Sequence, residues 1–172
     1  MLSERLINSI KDYPDFPKKG IVFKDICPVL ADPDLFSDLI DKISSYSVFK
    51  ESDAIIAIDA RGFIFGSCIA KAIKKPLVLA RKKNKLPGHT IDAKYGLEYG
   101  EDSLSIQNIA IESYKKFVIV DDLLATGGTA KCVSDMLKMA KKEVLALSVI
   151  IELTALKGAQ NLDIPVYSEV KI

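Results

Sequence analysis

The sequence predicts an α/β fold, a mostly parallel central sheet flanked by helices. Three observations carry that prediction. Short, largely apolar runs recur at 54–59, 76–80, 117–121 and 144–153, which suits strands buried on both faces. Segments with apolar residues at helical spacing follow the first and third of these runs. The chain has 172 residues, 49% of them hydrophobic, enough for one domain (1–172) with a real core.

The elements are expected in the following order. Leu2 to Tyr13 forms a short amphipathic helix with Leu2, Leu6, Ile7 and Ile10 on one side, ended by Pro14 and Pro17. The stretch GIVFKDICPVL (20–30) is irregular. Asp32 caps a helix that carries Pro33 at its first position and Leu35, Phe36, Leu39, Ile40 and Ile43 on one face. AIIAID (54–59) is a strand, Gly62 to Lys74 a helix, and PLVLA (76–80) a strand. FVIVD (117–121) is a strand, and Thr129 to Lys141 a helix with Val133, Met136, Leu137 and Ala140 inward. VLALSVIIEL (144–153) is a strand, followed by a short helix near Ala155 to Leu162 and a last strand over Pro165 to Ser168.

One segment breaks the rhythm. TIDAKY (90–95) and SLSIQ (103–107) alternate polar with apolar residues, the mark of half-exposed strands. With GLEYGED between them they read as an antiparallel ribbon over 90–107, its polar tip either an ordinary turn or a lid.

Composition narrows the function classes. Lys plus Arg is 24 and Asp plus Glu is 23, a net charge of +1 that lacks the footprint of a nucleic-acid binder. The three cysteines, Cys27, Cys68 and Cys132, are widely spaced without any CxxC, and His89 is the single histidine. A zinc site is therefore not expected, and the thiols read as free core residues of a reducing compartment. His89 is taken as a surface residue. The first residues lack the unbroken apolar core of a secretory signal, and no apolar stretch approaches about 18 residues. The expectation is a soluble cytoplasmic protein without a membrane span.

The stretch VIVDDLLATGGT (118–129) carries the chemistry. It reads as a strand, a loop and a helix start. Amides of about Ala125 to Thr129 can converge on one anion, aided by the positive end of the helix. The Thr126 and Thr129 hydroxyls add donors. The chain contains neither GxxxxGK[ST] nor GxGxxG, so neither a Walker loop nor a dinucleotide loop is indicated. Gly127-Gly128 alone would fit a plain strand-to-helix turn, but such a turn gives Asp121-Asp122 no part. A ligand with a phosphate at one end and a vicinal diol at the other accounts for both. Carboxylates accept hydrogen bonds from a diol and stabilise positive charge at an anomeric carbon. The stretch is thus read as gripping a 5-phosphoribosyl group.

With those residues in view, VIVDDLLATGGT resembles the phosphoribosyl-diphosphate (PRPP) signature of the type I phosphoribosyltransferases. GIVFKDICPVL (20–30), IDARGFIFG (58–66), RKKNKLPG (81–88) and YGLEYG (95–100) are similar to motifs of the adenine branch, in its order. The resemblance implies the type I phosphoribosyltransferase fold, with an N-terminal base-binding hood (1–31) and an antiparallel flap hairpin (90–107). It also implies transfer of phosphoribose from PRPP to N9 of adenine, giving AMP and diphosphate. Mg²⁺ would enter bound to PRPP without direct protein ligands, and the protein would be a homodimer that binds neither nucleic acid nor membrane.

Residue roles follow the same resemblance. Asp121, Asp122, Ala125, Thr126, Gly127, Gly128 and Thr129 would bind PRPP, with Ala60 and Arg61 at its diphosphate. The Asp59–Ala60 peptide would be cis. Arg81, Lys82 and Lys85 would join the PRPP site, one of them across the dimer. Without the resemblance that basic run reads equally as a solvated turn, and Arg61 as a surface ion pair. Phe23 would stack on adenine while the Val22 and Lys24 backbones read its edge, and Leu153 would line the base pocket. Read alone, Phe23 and Leu153 suit a core just as well. Relatives often carry Arg where Lys24 stands. Glu98 would be an acid/base at N7 and Tyr99 would close the lid, although a glutamate on a loop is also simply solvated. Arg61, Asp122 and Glu98 form the expected catalytic set. The competing readings are a PRPP-binding regulator without catalysis, an enzyme for guanine, xanthine or orotate, and a receiver-like switch. The lack of room for a DNA-binding domain, the GIVFKDI segment and the Thr-Gly-Gly-Thr turn argue against these in turn.

Overall fold

The computed structural model describes residues 1–97 and 100–172, so the expected lid residues Glu98 and Tyr99 lie outside the described residues. The chain forms two compact units, Met1–Ile43 and Ser44–Ile172.

The first unit begins with helix α1 (Leu2–Ser9), which is shorter than the helix expected to Tyr13. The chain turns extended at Ile10 because the next residues pair elsewhere. Strand β1 (Lys11–Pro14) lies antiparallel to β2 (Val22–Asp25), matching Tyr13 with Phe23 and Asp12 with Lys24. The stretch 20–30 is therefore regular where the sequence suggested irregularity: β2 is followed by helix α2 (Cys27–Ala31). Helix α3 (Pro33–Ser44) starts as its residues require. The Leu35 amide donates to the Asp32 carboxylate at 2.9 Å, and Leu35, Leu39, Ile40 and Ile43 are buried.

In the second unit, helix α4 (Ser47–Glu51), which the sequence did not announce, precedes strand β3 (Ala54–Ile58). Helix α5 (Gly62–Ile73) leads to β4 (Leu77–Lys82). Strands β5 (Thr90–Leu97) and β6 (Gly100–Gln107) pair antiparallel as the expected ribbon. A single turn, α6 (Asn108–Ile111), connects to β7 (Lys116–Leu124). Helix α7 (Gly128–Met139) then leads to β8 (Glu143–Glu152). The expected helix over 155–162 is instead two 3-10 turns, Thr154–Leu156 and Gly158–Asn161. Lys157 between them is left-handed at φ +54°, which stops a continuous helix. Strand β9 (Val166–Lys171) is last.

The seven strands run in the order β5-β6-β4-β3-β7-β8-β9. The pairs β4-β3, β3-β7, β7-β8 and β8-β9 are parallel, and the ribbon joins antiparallel through β4 and β6. All five residues of β3 are buried, as its unbroken apolar sequence requires. The β3-α5-β4 and β7-α7-β8 crossovers leave in opposite directions along the sheet. Right-handed crossovers then place α5 and α7 on opposite faces.

Candidate active site

Strands β3 and β7 are neighbours, and their onward connections diverge. The crevice beyond their carboxyl ends is the switch point at which open α/β sheets take ligands. Both motifs that the sequence marked for a phosphorylated ligand leave the sheet there.

From β7 the acidic pair comes first. Asp122 is buried, and its amide donates to the Asp121 Oδ1 at 2.8 Å. Burial, then the neighbouring Asp122 charge, pushes the Asp121 carboxyl well above the usual carboxylate range. The turn follows. Gly127 sits at φ +85°, a conformation that costs other residues, and opens α7. It has no side chain to cap the first helical amides, and those donors have no partner within a helix. They are what an anion would use.

From β3, the Asp59–Ala60 peptide is cis, as the motif implied. Arg61 then turns back to β7, and its Nε lies 2.7 Å from Asp122 Oδ2. Gly62 explains how the two loops come so close. A Cβ there would meet Asp121 Oδ1 and the Val120 carbonyl oxygen, both at 2.9 Å.

These pieces enclose a cavity of about 250 Å³ lined by Arg61, Asp121, Asp122 and the run from Leu123 to Ala130. Ala125, Thr126, Gly127, Gly128 and Thr129 are thus brought together with the acidic pair and Arg61. One wall is cationic and anionic in close pairing, and the other is a small-residue turn rich in donors.

A profile of the phosphoribosyl transferase domain matches residues 32–169. An adenine phosphoribosyltransferase of Prochlorococcus marinus (strain MIT 9211) is 54% identical over 170 residues, spanning 99% of each chain. The crystal structure of adenine phosphoribosyltransferase from Thermoanaerobacter pseudethanolicus superposes with a TM-score of 0.91 at 40% identity, over 99% of each chain. The chain belongs to the adenine phosphoribosyltransferase family. Another similar structure is the Saccharomyces cerevisiae enzyme complexed with D-2,5-dideoxy-2,5-imino-altritol 1,6-bisphosphate and adenine. Its TM-score is 0.91 at 36% identity, with 98% of each chain covered.

The fold is that of the adenine phosphoribosyltransferase family, mixed sheet, ribbon and N-terminal helix included. The other motif residues fall in definite places. Arg81 Nε lies 3.3 Å from Asp59 Oδ2, and its Nη1 donates to the Lys85 carbonyl at 3.3 Å. Its guanidinium also stands 5.8 Å from the centre of the Phe63 ring. Lys82, Lys85 and His89 are exposed. Leu153 is half-buried, and its amide donates to the Leu124 carbonyl at 2.9 Å. In the first unit, Phe23 is half-buried and meets Phe16 edge-on at 5.3 Å between ring centres. Val22 is exposed, and the Lys24 ammonium lies 2.7 Å from Asp12. The Lys24 side chain is thereby engaged by Asp12.

Sequence reasoning missed three supporting residues. Asp59 holds Arg81, Gly62 admits Asp121, and Asn161 donates from Nδ2 to the Thr126 carbonyl at 2.9 Å. Asp59 and Gly62 flank Ala60 and Arg61 in IDARGFIFG and could have been found there. Asn161 lies 35 positions from Thr126 and carries no local signal.

Proposed function

We propose that this chain transfers the 5-phosphoribosyl group of PRPP to N9 of adenine, releasing AMP and diphosphate in purine salvage. The observation that carries the reading is the convergence of Arg61, Asp121-Asp122 and the Ala125–Thr129 turn on one cavity. Family membership supports it, as does the yeast relative, which was crystallised with adenine and an imino-altritol bisphosphate.

The residues divide the work. The amides of Ala125, Thr126, Gly127, Gly128 and Thr129 hold the 5-phosphate. Asp121 and Asp122 accept hydrogen bonds from the ribose hydroxyls and offset positive charge growing at C1. Ala60, Arg61, Arg81, Lys82 and Lys85 receive the diphosphate. Val22, Phe23, Lys24 and Leu153 bind the base, with residues 1–31 as its hood. Glu98 acts as acid/base at N7, and Tyr99 belongs to the lid of the 90–107 ribbon. The bond from C1 to the diphosphate oxygen breaks, N9 bonds to C1 from the opposite face, and the proton on N7 passes to Glu98. Excluding water at that moment protects the oxocarbenium-like sugar from hydrolysis.

The donor set fits a magnesium ion carried in by PRPP. Among the described residues no cluster of three or more His, Cys, Asp or Glu side chains could hold a metal alone. Mg²⁺ characteristically keeps waters and takes ligand phosphates with at most one or two carboxylates. Asp121 and Asp122 would supply negative charge beside the ribose, and Mg²⁺ would be carried in by PRPP without direct protein ligands. When bound, Mg²⁺ would offset negative charge on the diphosphate.

The protein is further proposed to act as a cytoplasmic homodimer in which one cation of 81–85 reaches the partner's site. Among the described residues no helix is long and apolar enough to cross a membrane. Light scattering of the purified protein reads the dimer directly.

The test is product formation from PRPP, Mg²⁺ and each of adenine, guanine, hypoxanthine and orotate. AMP from adenine alone is the expected result. Turnover of another base overturns the assignment of Val22 to Lys24, and PRPP binding without turnover of any base overturns the catalytic reading.

A further inference from the structure

We propose that Asn161 is a positioning residue for the 5-phosphate turn, holding the Thr126–Gly127 peptide in its anion-binding orientation before the ligand arrives. The inference rests on the reading of Ala125–Thr129 as the phosphate site. Asn161 Nδ2 donates to the Thr126 carbonyl at 2.9 Å. A backbone carbonyl can only accept, so it is the amide NH₂ that faces the turn. The peptide is planar, so holding the Thr126 oxygen also fixes the direction of the Gly127 N–H.

The platform that carries Asn161 is itself locked to the turn. It is the 3-10 turn Gly158–Asn161, which follows left-handed Lys157. A Cβ on Gly158 would lie 2.1 Å from the Ala125 carbonyl oxygen, and one on Gly127 would lie 2.7 Å from the Gly158 oxygen. Ala125, Thr126 and Gly127 are thus touched in succession by one short segment. Gly158 supplies the close approach, and Asn161 supplies the side-chain bond to the Thr126 carbonyl.

Asn161 is exposed and outside the core, so its bond contributes little to folding. Its effect falls on binding. A turn ordered in advance loses less freedom when phosphate docks, and that difference appears as affinity. The effect is confined to ligands with a 5-phosphate. Diphosphate alone, received at Arg61, gains nothing from it.

The experiment measures binding of ribose 5-phosphate, PRPP and diphosphate to wild type, Asn161→Ala and Asn161→Asp by calorimetry, with thermal unfolding alongside. Losing one neutral hydrogen bond weakens ribose 5-phosphate and PRPP roughly two- to tenfold in Asn161→Ala. Diphosphate affinity and the unfolding midpoint stay unchanged. Asn161→Asp keeps the shape but loses the donor, so it is at least as weak at pH 8. Relative to wild type at the same pH, it recovers on acidification, because a protonated carboxyl donates again. Unchanged ribose 5-phosphate binding in both variants overturns the proposal, and so does an equal loss for diphosphate. Failure of wild type to bind either phosphoribosyl ligand overturns the phosphate-site reading, and the proposal with it.

Discussion

Arg61 Nε lies 2.7 Å from Asp122 Oδ2, joining the loop after β3 to the strand that bears the acidic pair. Each partner therefore orients the other at the wall of the cavity. Asp122 is buried, so a neutral replacement leaves the guanidinium facing a weaker acceptor.

Asp122→Asn is expected to lower kcat/KM on the order of 100-fold, since charge-assisted hydrogen bonds are worth roughly 1.5–3 kcal/mol each. Steady-state kinetics with PRPP varied at saturating adenine checks this. A loss below tenfold would remove Asp122 from the ribose-binding role.

Gly62→Ala should act on the same wall from behind. The new methyl would sit 2.9 Å from both Asp121 Oδ1 and the backbone oxygen of Val120, so the strand or α5 must shift. Overpacking of this kind costs about 1–3 kcal/mol. Urea unfolding gives the cost, and kinetics should show a PRPP defect larger than any adenine defect.

Asp121 predicts a pH dependence of stability. Burial and Asp122 raise its carboxyl in the folded protein, so the folded state binds the proton more tightly than the unfolded chain does. Stability from this group is complete below the unfolded carboxyl range and is lost as pH rises through the raised folded value. Asp121→Asn removes that loss. The variant should be more stable than wild type at pH 7, with the difference shrinking toward pH 4, in urea midpoints measured across that range. It should nevertheless bind PRPP less tightly.

Thiol chemistry should follow exposure. Cys27 is exposed, Cys68 is intermediate and Cys132 is buried. Burial, then the Asp135 charge, pushes the Cys132 thiol up to about 11. With Ellman's reagent at pH 8, Cys27 should react first. Cys132 should react only on unfolding, and fast labelling of Cys132 in the native protein would contradict the packing of α7.

The sequence carried the parallel strands well because burial on both faces leaves an unbroken apolar run, as in Ala54–Ile58. It placed the paired carboxylates and the small-residue turn on one strand-to-helix connection, and both line the same cavity. It was weaker at Lys11–Pro14 and Val22–Asp25, where a short pairing of four residues leaves little periodicity to read. It failed at 155–162, where the constraint is the close approach of Gly158 to Ala125 rather than any local preference. For the same reason Asn161 could not be singled out, because its partner is distant in the chain.

Arg81 belongs to two parts of the molecule at once. Its backbone pairs with Ser105 in the antiparallel ribbon, while its side chain grips Asp59, next to the cis peptide and Arg61. The residue works as a strut. A displacement of the ribbon loads the loop that precedes α5, and a load on that loop is felt in the ribbon. The ribbon and the loop before α5 are thereby linked through one guanidinium, with no need for a signal to cross the sheet.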